Sequence, residues 1–405
     1  MEYDLTGFDF PEYINAVPSK SELHRLLLCA ALSKRETVIP CAFVCEDTAA
    51  TIRCLRALGT DIGYDGTAFY ITPAGQFAEN ALCDCGDSGT TLRLLLPVVC
   101  GLGLPARFGM SEQLAARPLS PLIELLTEGG AEIRRDGNAI AVCGKCRKTR
   151  FSVPGNVSSQ FISGLALMLT LSGGEITITG RAESRPYIEM TADVLRKFGC
   201  RAAINGNVFT VEKRSPLHTP GKIIPSGDWS WAAVYLTAGV IGRHPVSVAG
   251  LDENSVQGDK AIVSVLRGAG AKIVWYGDTV TAFPSRLSAF TADVSDTPDI
   301  VPALAAAAMN AEGNSAITGA ARLRFKESDR MNSVKNVILS LGGSAETDEN
   351  NIYIKGTGVK GGTVRGFHDH RIVTAAACAA ASSDGRVTVT DAEAVGKSYP
   401  GFFEK

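Results

Sequence analysis

Histidine is scarce in this sequence. Only five stand among 405 residues, and none has ligand spacing to a cysteine pair. A zinc centre built on Cys143-x-x-Cys146 or Cys83-x-Cys85 therefore lacks its other half. The 11 cysteines are an odd number scattered through a long chain. Such a set reads as reduced, mostly buried thiols of a reducing cytosol. Net charge is nearly missing too: 40 Lys and Arg against 42 Asp and Glu leave −2. A near-neutral chain has no bulk field for nucleic acid or an anionic membrane, so affinity for anions must come from cations gathered locally. No apolar run reads as a membrane span. The stretch FISGLALMLTL is interrupted by Ser, Gly and Thr and reads as a buried helix. The N-terminal MEYDLTGFDFPEY is acidic and resembles neither a secretory signal nor a transit peptide. The phosphate-loop pattern, the Gly-x-Ser-x-Gly elbow and a strand-linked Gly-x-Gly-x-x-Gly are absent. Gly101-Leu102-Gly103 reads as a turn that ends a helix.

What is present is a repeat. A small or polar cap opens an apolar helix, then come a strand-like stretch, a second helix ending near a glycine, and two short strands around a turn. First-helix starts fall near Lys20, Gly89, Ser159, Asp228, Pro298 and Asp369, at steps of 69, 70, 69, 70 and 71. Second-helix ends fall at Gly59, Gly129, Gly199, Gly270 and Gly342, at steps of 70, 70, 71 and 72. Two markers that stay in phase define about six units of roughly 70 residues. Mixed helices and short strands predict an α/β fold. The second helices are amphipathic, with Ile188, Ala192, Leu195 and Phe198 on one face. The first helices are apolar nearly all round, which predicts burial inside a lobe of three units. The sixth unit is short, so residues 1–18 are expected to complete it. The expected lobes are 19–226, and 1–18 with 227–405.

The helix starts carry the chemistry. They read Ser19-Lys20-Ser21, Asp87-Ser88-Gly89-Thr90, Ser158-Ser159-Gln160, Gly227-Asp228, Asp296-Thr297-Pro298-Asp299 and Asp369-His370-Arg371. Ser and Asp there are explained by N-capping. Lys20 and Arg371 are not, because a cation opposes the positive end of the helix dipole. An anion bound between the cation and the helix start removes that conflict. Arg25 and Arg93 interrupt apolar helices, and buried cations need anionic partners. Arg117 precedes Pro118 at an expected helix start. Arg322, Arg324, Lys326 and Arg330 cluster in ARLRFKESDR with Glu327 and Asp329, and Lys397 lies in GKSYPGFF. Arginine suits carboxylate and phosphate, since its planar fork meets two oxygens.

Several of these motifs together resemble the 5-enolpyruvylshikimate-3-phosphate synthase family, the 3-phosphoshikimate 1-carboxyvinyltransferases. SKSELHR at 19–25 is similar to the family's first signature and GDSGTTLR at 86–93 to its second. ARPLSPL, SSQF, SRPYIEMT, GDWSWAA, TPDIVP, RFKESDR, DHRIVTAAA and GKSYPGF follow in family order. The match runs from about residue 14 to 403. The resemblance implies a two-lobed, inside-out α/β barrel-like fold of six βαβαββ repeats, three per lobe, with the active site in the interlobe cleft. It implies that the 5-hydroxyl of shikimate 3-phosphate attacks phosphoenolpyruvate, and that a tetrahedral ketal then loses phosphate. It implies no metal and no organic cofactor, a monomer, a cytoplasmic location, and no nucleic-acid or membrane partner.

Roles follow motif by motif. Lys20, Gly89, Arg117, Gln160, Arg330, Arg371 and Lys397 match the phosphoenolpyruvate site. Lys20, Ser21, Arg25, Ser158, Ser159, Gln160, Ser184, Tyr187, Asp299 and Lys326 match the shikimate 3-phosphate site. Asp299 matches the carboxylate that takes the 5-hydroxyl proton, and Glu327 the proton donor to the methylene carbon. Lys20 and His370 complete the catalytic set, His370 also suiting a structural role at its helix start. Two positions depart from the family pattern. Asp87 replaces the usual Asn, and is expected to cap its helix instead. Arg322 stands where some members place an Asn that touches the sugar, so that contact is not transferred.

Two other readings fit the same fold. The UDP-N-acetylglucosamine enolpyruvyl transferases carry Lys-Asn in the first motif and a Cys five residues before the Arg-Pro. Here those positions are Lys20-Ser21 and Glu112. A non-catalytic anion-binding module is opposed by Lys20, Asp299, Glu327, Arg371 and Lys397 all being present.

Overall fold

The computed structural model describes residues 1–213 and 216–404. The chain divides into two compact units, Pro18–Pro225 and Met1–Val17 with Ser226–Lys405.

The architecture is mixed α/β, and one sheet pattern recurs. In the 18–225 unit, Ala81–Asp84 runs parallel to Ala106–Gly109, and the hairpin Glu132–Asp136/Ala139–Cys143 adds on antiparallel through its second strand. Arg150–Pro154, Gly174–Thr179, Val208–Val211 and Ala202–Asn205 repeat that order. In the other unit it returns in Thr291–Asp293, Asn314–Thr318, Ile352–Lys355 and Ser344–Thr347. Strands alternate buried and exposed residues, as where Phe151 and Val153 point inward between Arg150 and Ser152.

The segments beside each crossing pair within their own unit. Tyr13–Asn15 pairs parallel with Val246–Ala249, in the second unit. The first unit's sheet, Thr37–Pro40 with Ala68–Thr72 and Asp61–Tyr64, instead takes a parallel bridge from Lys222 to Val38. Tyr3–Asp4 pairs antiparallel with Val387–Val389, beside Gly362–Val364. Aromatic packing seats this N-terminal segment: Tyr3 stacks on Phe403 at 4.2 Å and Phe10 meets Tyr235 edge-on at 5.5 Å.

The apolar helices lie buried, several of them bridging a parallel strand pair. In the first unit these are Lys20–Ala31, Gly89–Leu102 and Ser159–Leu169; in the second, Trp229–Ile241, Val301–Met309 and His370–Ala380. All nine residues of Val301–Met309 are buried, and its alanines favour helix. Gly89–Leu102 and Ser159–Leu169 approach backbone to backbone at Gly164. A Cβ on Gly164 would stand 2.2 Å from the Arg93 carbonyl, so only glycine fits. The amphipathic face of Arg185–Lys197 is buried at Ile188, Ala192, Leu195 and the capping Phe198.

The helix Leu122–Glu128 ends on Gly129 as the repeat predicts, and Gly130 after it takes the left-handed backbone at φ +104°. Two local expectations are corrected. Pro298–Ile300 is a 3-10 turn ahead of Val301–Met309, so Asp299 lies in that turn and not in the first α-helical turn. Arg117 follows the short Glu112–Ala115 helix rather than opening one. Ten cysteines are buried and Cys143 is exposed, all as free thiols.

Candidate active site

In the 18–225 unit, three helix starts present the predicted anion-binding residues. Ser19 accepts from the Glu22 N–H and caps Lys20–Ala31, which leaves Lys20 on the first turn. Its ammonium meets Asp47 Oδ2 at 2.7 Å, so a carboxylate of the protein itself holds the cation. Asp47 sits in the first turn of Glu46–Ala57, where the helix dipole favours an acid.

Arg25 is only 2 % exposed. It donates to Thr191 Oγ1 at 2.8 Å, Ser163 Oγ at 3.2 Å, and the Ser21 and Tyr187 carbonyls at 2.6 and 3.1 Å. These four partners are neutral. Burial therefore pulls the guanidinium pKa down to about 10, despite weak help from neighbouring acidic groups.

Around the second helix start, Ser88 caps Gly89–Leu102 by accepting from the Thr91 N–H. Asp87, contrary to expectation, does not cap this helix. Its carboxylate accepts a short hydrogen bond from the Ser111 hydroxyl. Gly89 is hemmed in by cations: a Cβ there would stand 3.0 Å from both Arg117 Nη1 and Arg93 Nη1. Arg93 donates to Gln160 Oε1 at 2.9 Å, and Gln160 Nε2 donates to Thr90 Oγ1 at 2.9 Å. Gln160 is the second residue of the third helix, Ser159–Leu169, and its N–H donates to the capping Ser158 Oγ. Ser159 is buried on the first turn. Thus Gly89, Arg117 and Gln160 come together around Arg93, which the sequence marks as a cation in an apolar helix without giving it a role.

Ser184, buried, adopts a left-handed backbone at φ +53° where Arg185–Lys197 begins. Such a conformation is uncommon for serine and is held by its surroundings. Tyr187 follows one turn later and lends its carbonyl to Arg25.

The second unit gathers its residues around one guanidinium. Arg330 is 2 % exposed and opens the helix Arg330–Ser340. Its Nη1 meets Asp299 Oδ1 at 2.8 Å, its Nη2 meets Glu327 Oε2 at 2.5 Å, and its Nε meets Asp369 Oδ2 at 2.8 Å. Burial alone would lower this guanidinium's pKa; Asp369, Glu327 and Asp299 outweigh it and raise it. Lys326 Nζ lies 3.4 Å from Asp299 Oδ1. Burial lowers the Lys326 pKa, and the Asp299 charge only partly opposes that. Burial would raise the Asp299 carboxyl, but Lys326, then Arg371 and Arg330, hold it well below the usual carboxylate range.

Asp369 caps His370–Ala380 by accepting from the Arg371 N–H at 2.9 Å. Arg371 Nη1 donates to the Ser230 carbonyl at 3.2 Å, and its guanidinium lies 5.6 Å from the Trp231 ring centre. His370 is buried, its Nδ1 3.9 Å from Asp369 Oδ1. Lys397 is buried at the end of the 3-10 stretch Ala392–Lys397. Arg322 is half-buried, and its charge adds to the lowering of Lys326.

The chain matches the sequence profile of EPSP synthase (3-phosphoshikimate 1-carboxyvinyltransferase) over residues 11–405. The chain belongs to the EPSP synthase family. A 3-phosphoshikimate 1-carboxyvinyltransferase of Clostridium novyi (strain NT) is 34% identical over 406 residues, spanning 96% of this chain and 93% of that protein. One from Methanocella arvoryzae is 35% identical, over 96% and 94% of the two chains. The EPSP synthase of Acinetobacter baumannii shares the fold at TM-score 0.83 and 23% identity, over 100% of this chain and 97% of that one. The enolpyruvyl transferase NikO of Streptomyces tendae shares it at 0.77 and 19% identity, over 100% and 95%. The UDP-N-acetylglucosamine alternative is not favoured. Among the described residues, no helix is long and apolar enough to cross a membrane.

For an EPSP synthase family member, two features of this site are not foreseeable from the motifs. Asp47 as the partner of Lys20 leaves one signal, an acid in a helix's first turn. The sequence marks Asp369 only as a helix-start residue, yet it also pairs with Arg330.

Proposed function

We propose that this chain transfers the enolpyruvyl group of phosphoenolpyruvate to the 5-hydroxyl of shikimate 3-phosphate, with the residues above in the roles their motifs suggest. It is an enzyme, a 3-phosphoshikimate 1-carboxyvinyltransferase of the shikimate pathway to aromatic amino acids. The observation that carries the mechanistic reading is the Arg330 hub. One buried guanidinium holds Asp299 and Glu327 at 2.8 and 2.5 Å. An acceptor and a donor of protons thereby share one rigid support.

The 5-hydroxyl oxygen bonds to C2 of the enol while Asp299 takes its proton. The C2–C3 electron pair takes a proton at C3 from Glu327. The resulting ketal expels phosphate from C2, and C3 gives its proton back to Glu327 as the double bond reforms. Asp299 is a weak base while Lys326, Arg371 and Arg330 hold it ionised. Anionic substrates that engage those cations weaken the hold and raise its basicity. Lys20, Gly89, Arg117, Gln160, Arg330, Arg371 and Lys397 take phosphoenolpyruvate. Ser21, Arg25, Ser158, Ser159, Gln160, Ser184, Tyr187 and Lys326 take shikimate 3-phosphate, and His370 stands beside Asp369 as a secondary proton-handling group.

We further read the recurring sheets as six βαβαββ units, three per lobe, in the inside-out barrel-like arrangement. Among the described residues, four four-stranded and two three-stranded sheets support that count, with the short pair Leu287–Ser288 and Ala311–Glu312 standing apart. A monomeric cytoplasmic enzyme is the accompanying reading. The decisive assay is phosphate release, expected with both substrates together and with neither alone. Release from phosphoenolpyruvate alone, or none from the pair, would overturn the assignment.

A further inference from the structure

The Arg371 guanidinium is not aimed by its own helix. Its neighbours are the Ser230 carbonyl at 3.2 Å and the face of Trp231 at 5.6 Å, both on the first turn of Trp229–Ile241. The direction of this cation therefore depends on how firmly that turn is held. First-turn N–H groups have no partner within a helix and must be satisfied from outside. Asp228 takes the Trp231 N–H at 3.0 Å. A separate segment, Gln257-Gly258-Asp259, takes another of these N–H groups and the Ser230 hydroxyl. Gln257 Oε1 accepts from the Trp229 N–H at 3.1 Å, while its Nε2 donates to Ser226 Oγ at 3.1 Å and the Gly227 carbonyl at 2.8 Å. Asp259 accepts a short hydrogen bond from the Ser230 hydroxyl. Gln257 is 6 % exposed and Asp259 3 %.

We propose that Gln257 and Asp259 are positioning residues that aim the Arg371 guanidinium through the first turn of the Trp229–Ile241 helix. The inference rests on the reading of Arg371 as a phosphoenolpyruvate cation. A cap alone does not need a buried carboxylate, which is costly to bury. Burial, followed by the Asp299 charge, pushes the Asp259 carboxyl up to about 6, and the Ser230 hydrogen bond and the Arg371 charge pull against this. At neutral pH Asp259 thus adds a countercharge that Arg371 feels. The arrangement fixes both the place and the field of one cation, using residues that do not touch substrate.

Two measurements on the intact enzyme test this. In the phosphate-release assay, Asp259→Asn should raise the KM for phosphoenolpyruvate roughly tenfold, the size of losing part of a charge-assisted contact. Its kcat should stay within about threefold, and the KM for shikimate 3-phosphate should not move. Asp259→Ala should do worse than Asp259→Asn, which keeps an acceptor for Ser230. If Asp259→Ala does not fold, Ser230→Ala carries the same comparison in milder form. In an Arg371→Ala background, Asp259→Asn should add nothing further to the KM; a full additional effect overturns the proposal. The second measurement is the side-chain NMR signal of Arg371 in 15N-arginine-labelled protein, identified by its loss in Arg371→Lys. The Trp231 ring should displace it, and Asp259→Asn should move it toward an exposed arginine. An unmoved signal overturns the positioning role whatever Arg371 binds. A moved signal with an Arg371→Ala enzyme of unchanged KM upholds the positioning and removes instead the assignment of Arg371 to phosphoenolpyruvate.

Discussion

Arg25 and Arg330 are equally buried, yet the two units treat them in opposite ways. Arg25, in the 18–225 unit, rests on two hydroxyls and two carbonyls, and burial pulls its pKa down to about 10. Arg330, in the other unit, rests on three carboxylates and is raised. A buried cation with neutral partners still lacks a countercharge, and an anionic ligand supplies one. A cation already neutralised by carboxylates has less to gain from an anion, but it fixes where those carboxylates stand. In the proposed mechanism the first unit would serve chiefly to bind, and the other to bind and to carry the proton transfers.

The largest effect that tests this division is on turnover. Asp299→Asn should lower kcat by about 10²–10⁴, the usual cost of a lost general base. Melting temperature should barely change. Wild-type kcat in a folded variant would place the base elsewhere.

Stability should separate the two arginines next. Arg330→Leu leaves three carboxylates without their common partner and should cost about 3–5 kcal/mol by urea unfolding. Arg25→Leu leaves only neutral groups unsatisfied, and about 1–3 kcal/mol is expected. Equal losses would erase the contrast.

The pH dependence of stability sharpens it further. His24 lies buried in the first unit, its Nδ1 2.7 Å from Thr51 Oγ1. Burial, against a raising pull from Asp47 and with Lys20 and Arg25 lowering, brings its ring pKa from 6.5 to about 3. Below pH 6.5 the unfolded chain takes a proton that the folded chain refuses. This contribution is therefore full above 6.5 and is lost as pH falls toward about 3. Asp259 in the second unit has the opposite sign. Folded, it keeps its proton to about pH 6, whereas unfolded it loses it near 3.8. Its contribution is full below 3.8 and is lost as pH rises through about 6. A tenfold difference in proton affinity between the folded and unfolded chains corresponds to about 1.4 kcal/mol. Stability measured in pH steps should lose part of its slope between pH 6.5 and about 3 in His24→Gln, and gain relative stability above pH 6 in Asp259→Asn. Curves parallel to wild type would contradict both assignments.

The smallest expected effect is on one substrate. Arg371→Ala should weaken phosphoenolpyruvate by about 1.5–3 kcal/mol, and shikimate 3-phosphate less. Equal loss for both would remove Arg371 from its assigned place.

Much of the fold was legible because its signals are local. Ser19, Ser88, Ser158, Asp228 and Asp369 each accept from a nearby backbone N–H, and such caps can be read from sequence. The apolar stretches between them became buried helices for the same reason. The site was half legible. Sequence marks Lys20 as a cation at a helix start and Arg330 as one of a basic cluster, but not what answers them. Asp47 lies 27 residues from Lys20 and Asp369 lies 39 from Arg330. No periodicity connects residues so far apart; the tertiary fold alone brings them together. Asp87 shows the converse error. Its position beside Ser88 suggests a cap, and the hydroxyl of Ser111, 24 residues on, holds it instead.

The most direct test of the division of labour is a crossed calorimetric titration. Shikimate 3-phosphate and phosphoenolpyruvate are titrated into Asp299→Asn and into Arg25→Ala, with turnover measured on both. The account predicts that Asp299→Asn binds both substrates near wild-type strength and hardly turns over. Arg25→Ala should lose shikimate 3-phosphate affinity by about 1.5–3 kcal/mol, yet approach wild-type kcat at saturation. An Arg25→Ala enzyme with intact shikimate 3-phosphate affinity, or an Asp299→Asn enzyme slow only because it no longer binds, would contradict it.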